Sequence, residues 1–354
     1  MTEDRPEVKP GLQWLRARRR HLLSGALLAG LVAINLVTWR HARAMAHFAR
    51  AGARTASPEK LGALAKMRAL LTGVTLPRPE NRRTPMDAGL AFETVRFPGT
   101  RGIQMEAWFV PGAKPSANGI TLLFHGYGAS KESLLAAAGE FHALGWDTLL
   151  VDFHGSGGLA GNTTSVGWHE AEDVAAAFAA AARLAPGKRR VLYGVSMGAA
   201  ACLRAIHALE VKPDGLIMEC PFDRMLTTVR HRFHAMHLPS FPLAELLVFW
   251  GGWEGGFNAF SHNPADYAPA VQCPSLVLHG VKDARVSVAE VERIYTRLGG
   301  SKTMVVLPGL GHESYVAALP DVWRAQIKGH LNGLNSGQPV KPAGGGVDAP
   351  LTAH

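Results

Sequence analysis

Short apolar runs alternate with stretches of helical periodicity between residues 91 and 332. Runs of seven or eight residues indicate strands at 91–97, 103–110, 120–126, 147–153, 190–196, 215–221, 274–280 and 302–309. The intervening patterns predict helices at 131–144, 169–184, 197–209, 288–298 and 314–332. The first two strands flank the turn residues 98–102 and predict an antiparallel hairpin. Because the later strands alternate with helices, the pattern predicts an α/β protein, with a mostly parallel central sheet and helices on both faces.

Residues 222–268 interrupt this alternation and predict a small helical cap inserted between two strands. The large apolar side chains of the cap allow two interpretations, which the sequence leaves open: they pack on the sheet domain, or they wall an acyl pocket as a lid. These side chains are Phe241, Leu246, Leu247, Phe249, Trp250, Trp253, Phe257 and Phe260. The main domain is therefore predicted at 91–332, and the Gly- and Pro-rich tail at 333–354 is expected to be disordered.

An uncharged apolar run at 22–39 lies between an arginine-rich flank and Arg40. A helix of this length spans about 27 Å, close to the hydrocarbon thickness of a bilayer. The run therefore favours a transmembrane helix over a buried core helix. A removed signal peptide is the alternative, because Ala44-Met45-Ala46 resembles a small-residue cleavage site. The retained anchor is favoured because that site lies beyond Arg40 and Arg43.

Positive charge predicts how this helix crosses the membrane. Six Lys or Arg residues precede the run and four follow it closely, and the more basic flank tends to stay in the cytoplasm. Residues 1–21 are therefore expected to be a basic cytoplasmic segment, with the main domain on the non-cytoplasmic side. Export after signal cleavage is the alternative. Residues 40–90 are predicted to be a linker that contains a short amphipathic helix at 58–72.

The basic excess of the chain is concentrated near its N-terminus. The 354 residues carry a net charge of +9, but residues 1–60 hold 11 Lys or Arg and 4 Asp or Glu, which leaves the rest at +2. A domain that binds nucleic acid would carry a basic patch of its own, so nucleic acid is excluded as a partner. The three cysteines are too few and too scattered for a disulfide framework, and they lack the CxxC spacing of a zinc site, so they are interpreted as buried thiols.

The chemistry of the chain is indicated first by Gly194-Val195-Ser196-Met197-Gly198, which matches the pattern G-x-S-x-G. The pentapeptide follows a predicted strand and opens a predicted helix, which is the context that the pattern requires. The sharp turn exposes the serine hydroxyl, and the two glycines keep side chains out of the bend. The sequence therefore predicts Ser196 as a nucleophile rather than as a helix-capping serine.

A serine hydroxyl needs a base, and the base needs a carboxylate that orients it. In this type of sheet the three groups occur along the chain in the order serine, acid, histidine. Asp283 follows the strand at 274–280, and His312 follows the strand at 302–309. Because parallel strands end at one edge of the sheet, we expect both side chains to approach Ser196 there.

Acyl transfer also requires two hydrogen-bond donors for the oxyanion that forms. The amide of Met197, directly after the serine, is one candidate. The loop His125-Gly126-Tyr127-Gly128 follows an early central strand, and its Tyr127 amide is the predicted second donor.

Five segments together carry a resemblance to a known family: HGYG (125–128), VDFHGSGG (151–158), GVSMG (194–198), LHGVKDARV (278–286) and LPGLGHESY (307–315). In their order and spacing, residues 91–332 resemble the α/β-hydrolase superfamily, and 263–280 resembles its serine aminopeptidase-like and membrane-anchored esterase branch. The resemblance implies the α/β-hydrolase fold, and hydrolysis of esters, thioesters or amides without a cofactor or a metal. His154 stands where many members have arginine, in a loop that is structural in the family.

These features favour a membrane-anchored serine hydrolase that cleaves carboxylic esters through an acyl-enzyme. Its expected partners are the membrane and a small-molecule or lipid-like substrate with an apolar acyl group. A peptidase or acyl thioesterase that uses the same triad is the first alternative, because the sequence does not show which leaving group the pocket accepts. A catalytically silent binding protein is the second, although such a protein is expected to lack a triad residue and this chain has all three.

Three histidines in the cap, His231, His234 and His237, have the spacing H-x-x-H-x-x-H. Positions three apart fan around a helix, and the sequence places no acidic or cysteine ligand beside them. A solvated basic helix is therefore favoured over a metal site.

Overall fold

The computed structural model describes residues 10–56, 61–114 and 119–336. Its strands are β1 (Glu93–Pro98), β2 (Gln104–Val110), β3 (Gly119–Phe124), β4 (Asp147–Val151), β5 (Arg189–Val195), β6 (Gly215–Glu219), β7 (Ser275–Gly280) and β8 (Lys302–Leu307). Its helices are α1 (Pro10–Ala46), α2 (Ala63–Thr72), α3 (Leu135–Ala143), α4 (Glu170–Leu184), α5 (Met197–Ala208), α6 (Met225–Ala235), α7 (Leu243–Gly255), α8 (Pro264–Tyr267), α9 (Val288–Arg297), α10 (Tyr315–Ala318) and α11 (Pro320–Ser336).

The strands form one eight-stranded sheet in the order β1-β2-β4-β3-β5-β6-β7-β8. The pairs β1/β2 and β2/β4 are antiparallel, and the remaining pairs are parallel. Buried side chains of α4, α5 and α9 pack in one core cluster, and those of α3 and α11 pack in another. Helices therefore cover both faces, which is why every residue of β3, β4, β6 and β7 is buried. The predicted α/β class and the N-terminal hairpin are confirmed.

The C-terminal part of the domain differs from the prediction in two ways. The single helix predicted at 314–332 is divided into α10 and α11, because Pro320 begins the second helix and disfavours helical geometry at Leu319 before it. The second helix continues to Ser336, so residues 333–336 of the predicted tail are helical. Residues 337–354 lie outside the described residues.

The apolar helix α1 is longer than the predicted run, because it begins at Pro10 and continues to Ala46. Its segment Arg18–Ala46 is long and apolar enough to cross a membrane, a property that anchors and signal sequences share. Residues 18–33 are exposed throughout. From residue 34 onward the helix packs on the domain, and Thr38 and Ala42 are buried.

The stretch predicted as a linker, 40–90, is attached to the domain at several points. Its first residues belong to α1, and Phe48 is buried, with its amide donating to the Asn162 carbonyl at 2.6 Å. His47 forms an isolated β-bridge with Thr163. The predicted helix at 58–72 is observed as α2, and residues 57–60 lie outside the described residues.

The cap consists of α6, α7 and α8, together with short turns, and it lies between β6 and β7 in the chain. Its central helix α7 contacts α1. The Trp39 Nε1–H donates to Glu254 Oε1 at 2.8 Å, and the Trp250 Nε1–H donates to Asn35 Oδ1 at 3.2 Å. The apolar N-terminal helix is therefore joined to the cap by side chains that are more than two hundred residues apart in sequence.

Candidate active site

Ser196 lies at the sharp turn between β5 and α5, and its φ of 52° and ψ of −108° are unusual for a residue with a side chain. Gly194 and Gly198 flank the serine, and the backbone around each of them leaves no room for a Cβ atom. A Cβ on Gly194 would lie 2.6 Å from the amide nitrogen of Ala199, and one on Gly198 would collide with the carbonyl oxygen of Phe124. The strained conformation thus falls on the serine itself, while the glycines allow β5, β3 and α5 to approach closely.

The three residues predicted as a triad lie in hydrogen-bonding contact. His312 Nδ1 is 2.6 Å from Asp283 Oδ2, and His312 Nε2 is 3.2 Å from Ser196 Oγ. Asp283 follows β7 and His312 follows β8, so adjacent parallel strands carry both side chains to the edge where Ser196 emerges. The structure therefore brings all three together, while their catalytic roles stay a prediction.

The carboxylate of Asp283 is held in its ionised form. Burial alone would raise the pKa of Asp283, but the hydrogen bond and charge of His312 outweigh burial and lower the pKa below its ordinary value. The other carboxylate oxygen accepts from the amides of Arg285 at 2.8 Å and Val286 at 3.0 Å. An ionised, fixed carboxylate favours the imidazole tautomer that carries its proton on Nδ1 and leaves Nε2 free to accept from the serine.

The predicted oxyanion donors, Tyr127 and Met197, both line the cavity beside Ser196. Within the described residues, no protein acceptor is recorded for either backbone amide. The loop that carries Tyr127 lies close to the serine: a Cβ atom placed on Gly126 would be 3.8 Å from Ser196 Cβ. The phenol of Tyr127 has a separate contact, since it donates to the carbonyl of Met45 at 2.6 Å, and burial raises its pKa to about 12. The last turn of α1 thus supports the loop that carries Tyr127.

His125 has a structural role that the sequence did not reveal. Its Nε2 accepts from the Phe153 amide at 3.2 Å, so Nδ1 carries the proton and donates to the Gly126 carbonyl at 2.9 Å. Burial lowers the pKa of His125, which keeps the imidazole neutral. The side chain therefore fixes the loop that carries Tyr127.

Glu219 and Cys220 at the end of β6 are further neighbours of the site that sequence reasoning missed. The Ser196 amide donates to the Glu219 carbonyl at 2.8 Å, while the Glu219 carboxyl group accepts from Tyr193 Oη at 2.6 Å and Trp323 Nε1 at 2.5 Å. Burial raises the pKa of Glu219 to about 7. Cys220 Sγ lies 3.8 Å from His312 Nε2, and burial raises the pKa of this thiol well above its ordinary value. A protonated thiol therefore lies beside the imidazole.

Two groups of residues bear on metal binding. Among the described residues, Cys220, Asp283 and His312 have ligand atoms within 4.8 Å of one another, but the acid and the imidazole are bound to each other and the thiol is protonated. His231 lies 3.2 Å from Glu290 Oε2, whereas its ring is 6.3 Å from that of His234. His237 lies beyond the end of α6, so the three cap histidines do not converge.

All three cysteines were predicted to be buried thiols. Cys202 and Cys220 are buried, while Cys273 is half-buried.

A cavity of about 260 Å³ opens beside Ser196. Leu134, Phe222 and Val286 contribute apolar surface, and Thr228 and Arg232 of α6 form part of its wall. In the described part of the chain, none of the eight large apolar cap residues lines this cavity. Some of them pack on the domain instead; for example, the Phe257 ring stacks on Trp168 with centroids 4.9 Å apart. The lid-wall interpretation of these eight side chains is therefore not supported.

The chain is similar to one family model and to several curated proteins. A family model described as serine aminopeptidase, S33, matches residues 115–265, somewhat less than half of the chain. The uncharacterized protein YqkD of Bacillus subtilis (strain 168) is 26% identical over 200 residues, which are 55% of this chain and 65% of YqkD. The uncharacterized protein Rv2307c of Mycobacterium tuberculosis (strain ATCC 25618 / H37Rv) is 26% identical over 212 residues, which are 60% of this chain and 69% of Rv2307c. The chain thus spans just under two thirds of the length of YqkD.

Solved structures share the architecture over a larger part of the chain. The esterase Pf2001 of Pyrococcus furiosus is 21% identical, with a TM-score of 0.61 over 72% of this chain and 96% of the esterase. The acylaminoacyl peptidase of Pyrococcus horikoshii is 16% identical, with a TM-score of 0.51 over 72% of this chain and 43% of the peptidase. At such identities the likeness establishes the fold. The strand order, the turn at Ser196 and these comparisons agree that the chain has the α/β-hydrolase fold.

Proposed function

We propose that this protein is a serine hydrolase that cleaves carboxylic esters through an acyl-enzyme intermediate. The observation that carries the proposal is the continuous hydrogen-bonded contact from Asp283 through His312 to Ser196. A hydroxyl, an imidazole and a carboxylate in this order form the relay that activates a serine for attack on a carbonyl. The hydrolase activity of the superfamily supports the same conclusion.

In the proposed reaction, Ser196 Oγ attacks the carbonyl carbon while its proton passes to His312 Nε2. Asp283 stabilises the imidazolium that results. His312 then gives the proton to the leaving-group oxygen as the carbonyl carbon–oxygen bond breaks, which leaves an ester on Ser196. A water molecule, deprotonated by His312, attacks this ester, and Ser196 leaves with the proton.

The amides of Met197 and Tyr127 are proposed to bind the oxyanion of each tetrahedral intermediate. Both residues line the cavity, and neither amide has a recorded protein acceptor in the described part of the chain. Each such donor contributes about 10²–10³-fold to the rate of acyl transfer. The His125 imidazole and the last turn of α1 hold one of these donors in place.

The acyl group is proposed to be apolar, because Leu134, Phe222 and Val286 contribute to the cavity wall. A second candidate is peptide hydrolysis. The family model described as serine aminopeptidase and the likeness to an acylaminoacyl peptidase favour it. The two differ only in the leaving group, so a panel of esters, thioesters and aminoacyl amides that share one acyl group separates them.

The decisive experiment uses the full chain in detergent. The protein is expected to hydrolyse short p-nitrophenyl esters and to react with a fluorophosphonate probe, and Ser196→Ala is expected to lose both properties. Ser133→Ala is a matched control, because Ser133 lines the same cavity but its hydroxyl donates to the Ser130 carbonyl. Undiminished hydrolysis by Ser196→Ala would refute the proposal.

We further propose that α1 is a retained membrane anchor and not a removed signal peptide. A cut at the small-residue site 44–46 would fall in the last turn of α1. It would separate Trp39 and Arg43 from their contacts with Glu254, at 2.8 Å each, and would remove the buried side chain of Ala42. Protein recovered from membranes is therefore expected to have the mass of the uncut chain. A mature N-terminus near residue 47 would contradict the anchor.

A further inference from the structure

Four aromatic side chains of the cap are exposed to solvent, although large apolar groups are usually buried. The exposed fractions are 74% for Phe241, 48% for Phe249, 72% for Trp253 and 41% for Phe260. Within the described residues, none of the four lines the cavity beside Ser196. Neighbouring exposed apolar groups mark an interaction surface more than scattered ones do, and Phe249 and Trp253, four residues apart on α7, share one face of that helix. Phe260 lies apart in the turn Ala259–Ser261, while the other three lie on α7 or just before it.

The direction of α7 relative to α1 follows from three hydrogen bonds. Trp250 on α7 bonds to Asn35 on α1, and one turn later Glu254 bonds to Trp39 and Arg43. Residue numbers rise together in both helices along this contact. The two helices therefore run in the same direction, and the N-terminal end of α7 points the same way as the free part of α1.

That free part is the exposed segment 18–33, which is apolar from Leu22 onward, and it makes the N-terminal end of α7 the end nearest to the membrane in the proposed topology. Leu243, the first residue of α7, precedes Trp250 by seven residues, so this end extends up to about 10 Å beyond the Trp250 contact. Phe241 lies two residues before Leu243, next to the N-cap residue Pro242. The Phe249 ring packs against Trp250 at 5.2 Å, and Trp253 follows one turn later.

The tryptophans and the ion pair near the N-terminal end of α7 are compatible with a membrane interface. Trp39, Trp250 and Trp253 lie near one level of the α1–α7 pair, as aromatic residues do at the boundary between lipid and water. The charged residue in the first turn of α7, Glu245, is paired with Arg230 at 2.5 Å, which lowers the cost of bringing this end close to lipid.

We propose that Phe241, Phe249 and Trp253 form a docking face that inserts into the interfacial layer of the bilayer that α1 enters. This proposal rests on α1 as the retained anchor. The partner is the phospholipid surface itself, because the docking face belongs to the cap segment that packs on α1, and α1 is long and apolar enough to span that bilayer. The protein would then be held by two elements, the anchor and the cap.

The docking face also bears on the substrate class of the proposed hydrolase. Helix α6 packs against α7, and its residues Thr228 and Arg232 line the cavity beside Ser196. A cap that touches the bilayer places that cavity near the membrane surface. The structure therefore assigns acyl esters carried in the membrane as the substrates that benefit from docking, while soluble esters reach the site without it.

The test uses the full chain reconstituted in phosphatidylcholine vesicles whose acyl chains carry bromine, which quenches tryptophan fluorescence on contact. Phe241→Trp is expected to add a quenched signal to that of the unmodified chain, and Trp253→Phe is expected to remove one. Val322→Trp is the matched control, because Val322 is 42% exposed on α11, which packs on the opposite face of the sheet. Its added fluorescence is expected to stay unquenched.

Activity gives a second measurement. Phe241→Ser is expected to lower hydrolysis of a vesicle-borne p-nitrophenyl acyl ester about 10-fold, since a buried Phe contributes substantially to apolar association. Hydrolysis of soluble p-nitrophenyl acetate by this variant and both activities of Val322→Ser are expected to be unchanged. The proposal is overturned if Phe241→Trp is quenched no more than Val322→Trp, or if Phe241→Ser instead dissociates a dimer, which would identify a second copy as the partner. Because quenching needs no substrate, it tests the docking face even if the hydrolase proposal fails.

Discussion

At the scale of single residues, the proposed relay depends on the carboxylate of Asp283. Asp283→Asn is expected to reduce kcat roughly 10³–10⁴-fold with little change in KM, because an amide in this position favours the wrong imidazole tautomer. The variant is compared with the unmodified chain on a soluble p-nitrophenyl ester. Asp266→Asn is the control, since Asp266 forms an exposed ion pair with Arg297. A loss of less than 10-fold would show that His312 is oriented by other groups.

Glu219 gives a prediction about stability. Its pKa is raised to about 7 by burial, whereas the unfolded chain loses this proton near the ordinary value of 4.5. Between these values the native state holds more protons, so its stability falls as pH rises, by up to about 3 kcal/mol for such a shift. Thermal midpoints measured from pH 5 to pH 8 are expected to fall less in Glu219→Gln than in the unmodified chain. Parallel curves would contradict the assignment.

Some residues of the candidate site could be predicted from the sequence, and others could not. The sequence predicts that Ser196, Asp283 and His312 lie together, because each follows a strand in a recognisable local pattern, and the structure places them in contact. Glu219 was not found, because its partners Tyr193 and Trp323 are 26 and 104 residues away and the run at 215–221 resembles any buried strand. Long-range polar pairing inside a core leaves no periodic signal in the sequence.

At the scale of elements, the two halves of α1 are expected to have different roles. Removal of residues 1–33 leaves the packed half in place, so folding and hydrolysis of soluble esters are expected to persist. Removal of residues 1–48 also deletes Ala42, Phe48 and the Met45 carbonyl that accepts from Tyr127. The loss of a buried Phe alone costs about 3–5 kcal/mol.

The longer deletion is therefore expected to lower both the thermal midpoint and kcat, the second because the loop that carries Tyr127, a proposed oxyanion donor, loses its support. Both truncated chains are measured in the same buffer with p-nitrophenyl acetate. Equal midpoints and equal kcat would show that α1 is only a tether. The sequence did not predict this coupling, since the basic, Ala-rich residues after Arg40 resemble a linker, and the hydrogen-bond partner of Trp39 and Arg43, Glu254, lies on the distant cap.

At the scale of the whole molecule, the alternation of strands and helices was sufficient to predict the sheet, because a parallel sheet covered on both faces requires short, continuously apolar strands. The course of the cap was not predictable in the same way. Its aromatic content suits a core, a pocket wall or a membrane surface equally well. What distinguishes these possibilities is the placement of α7 beside α1, a contact between distant parts of the chain.

The orientation of the whole molecule is the last prediction. Six Lys or Arg residues lie before the apolar run and four follow within about twenty residues of its end, and one of those four, Arg43, is paired with Glu254 at 2.8 Å. The charge difference therefore favours the N-terminal flank in the cytoplasm and the catalytic domain outside it. In spheroplasts, a membrane-impermeant maleimide is expected to label Val322→Cys above the background from the native cysteines. Trp14→Cys is expected to be labelled only after the membrane is opened with detergent. The reverse pattern would place the domain in the cytoplasm, and with it the docking face on the inner leaflet.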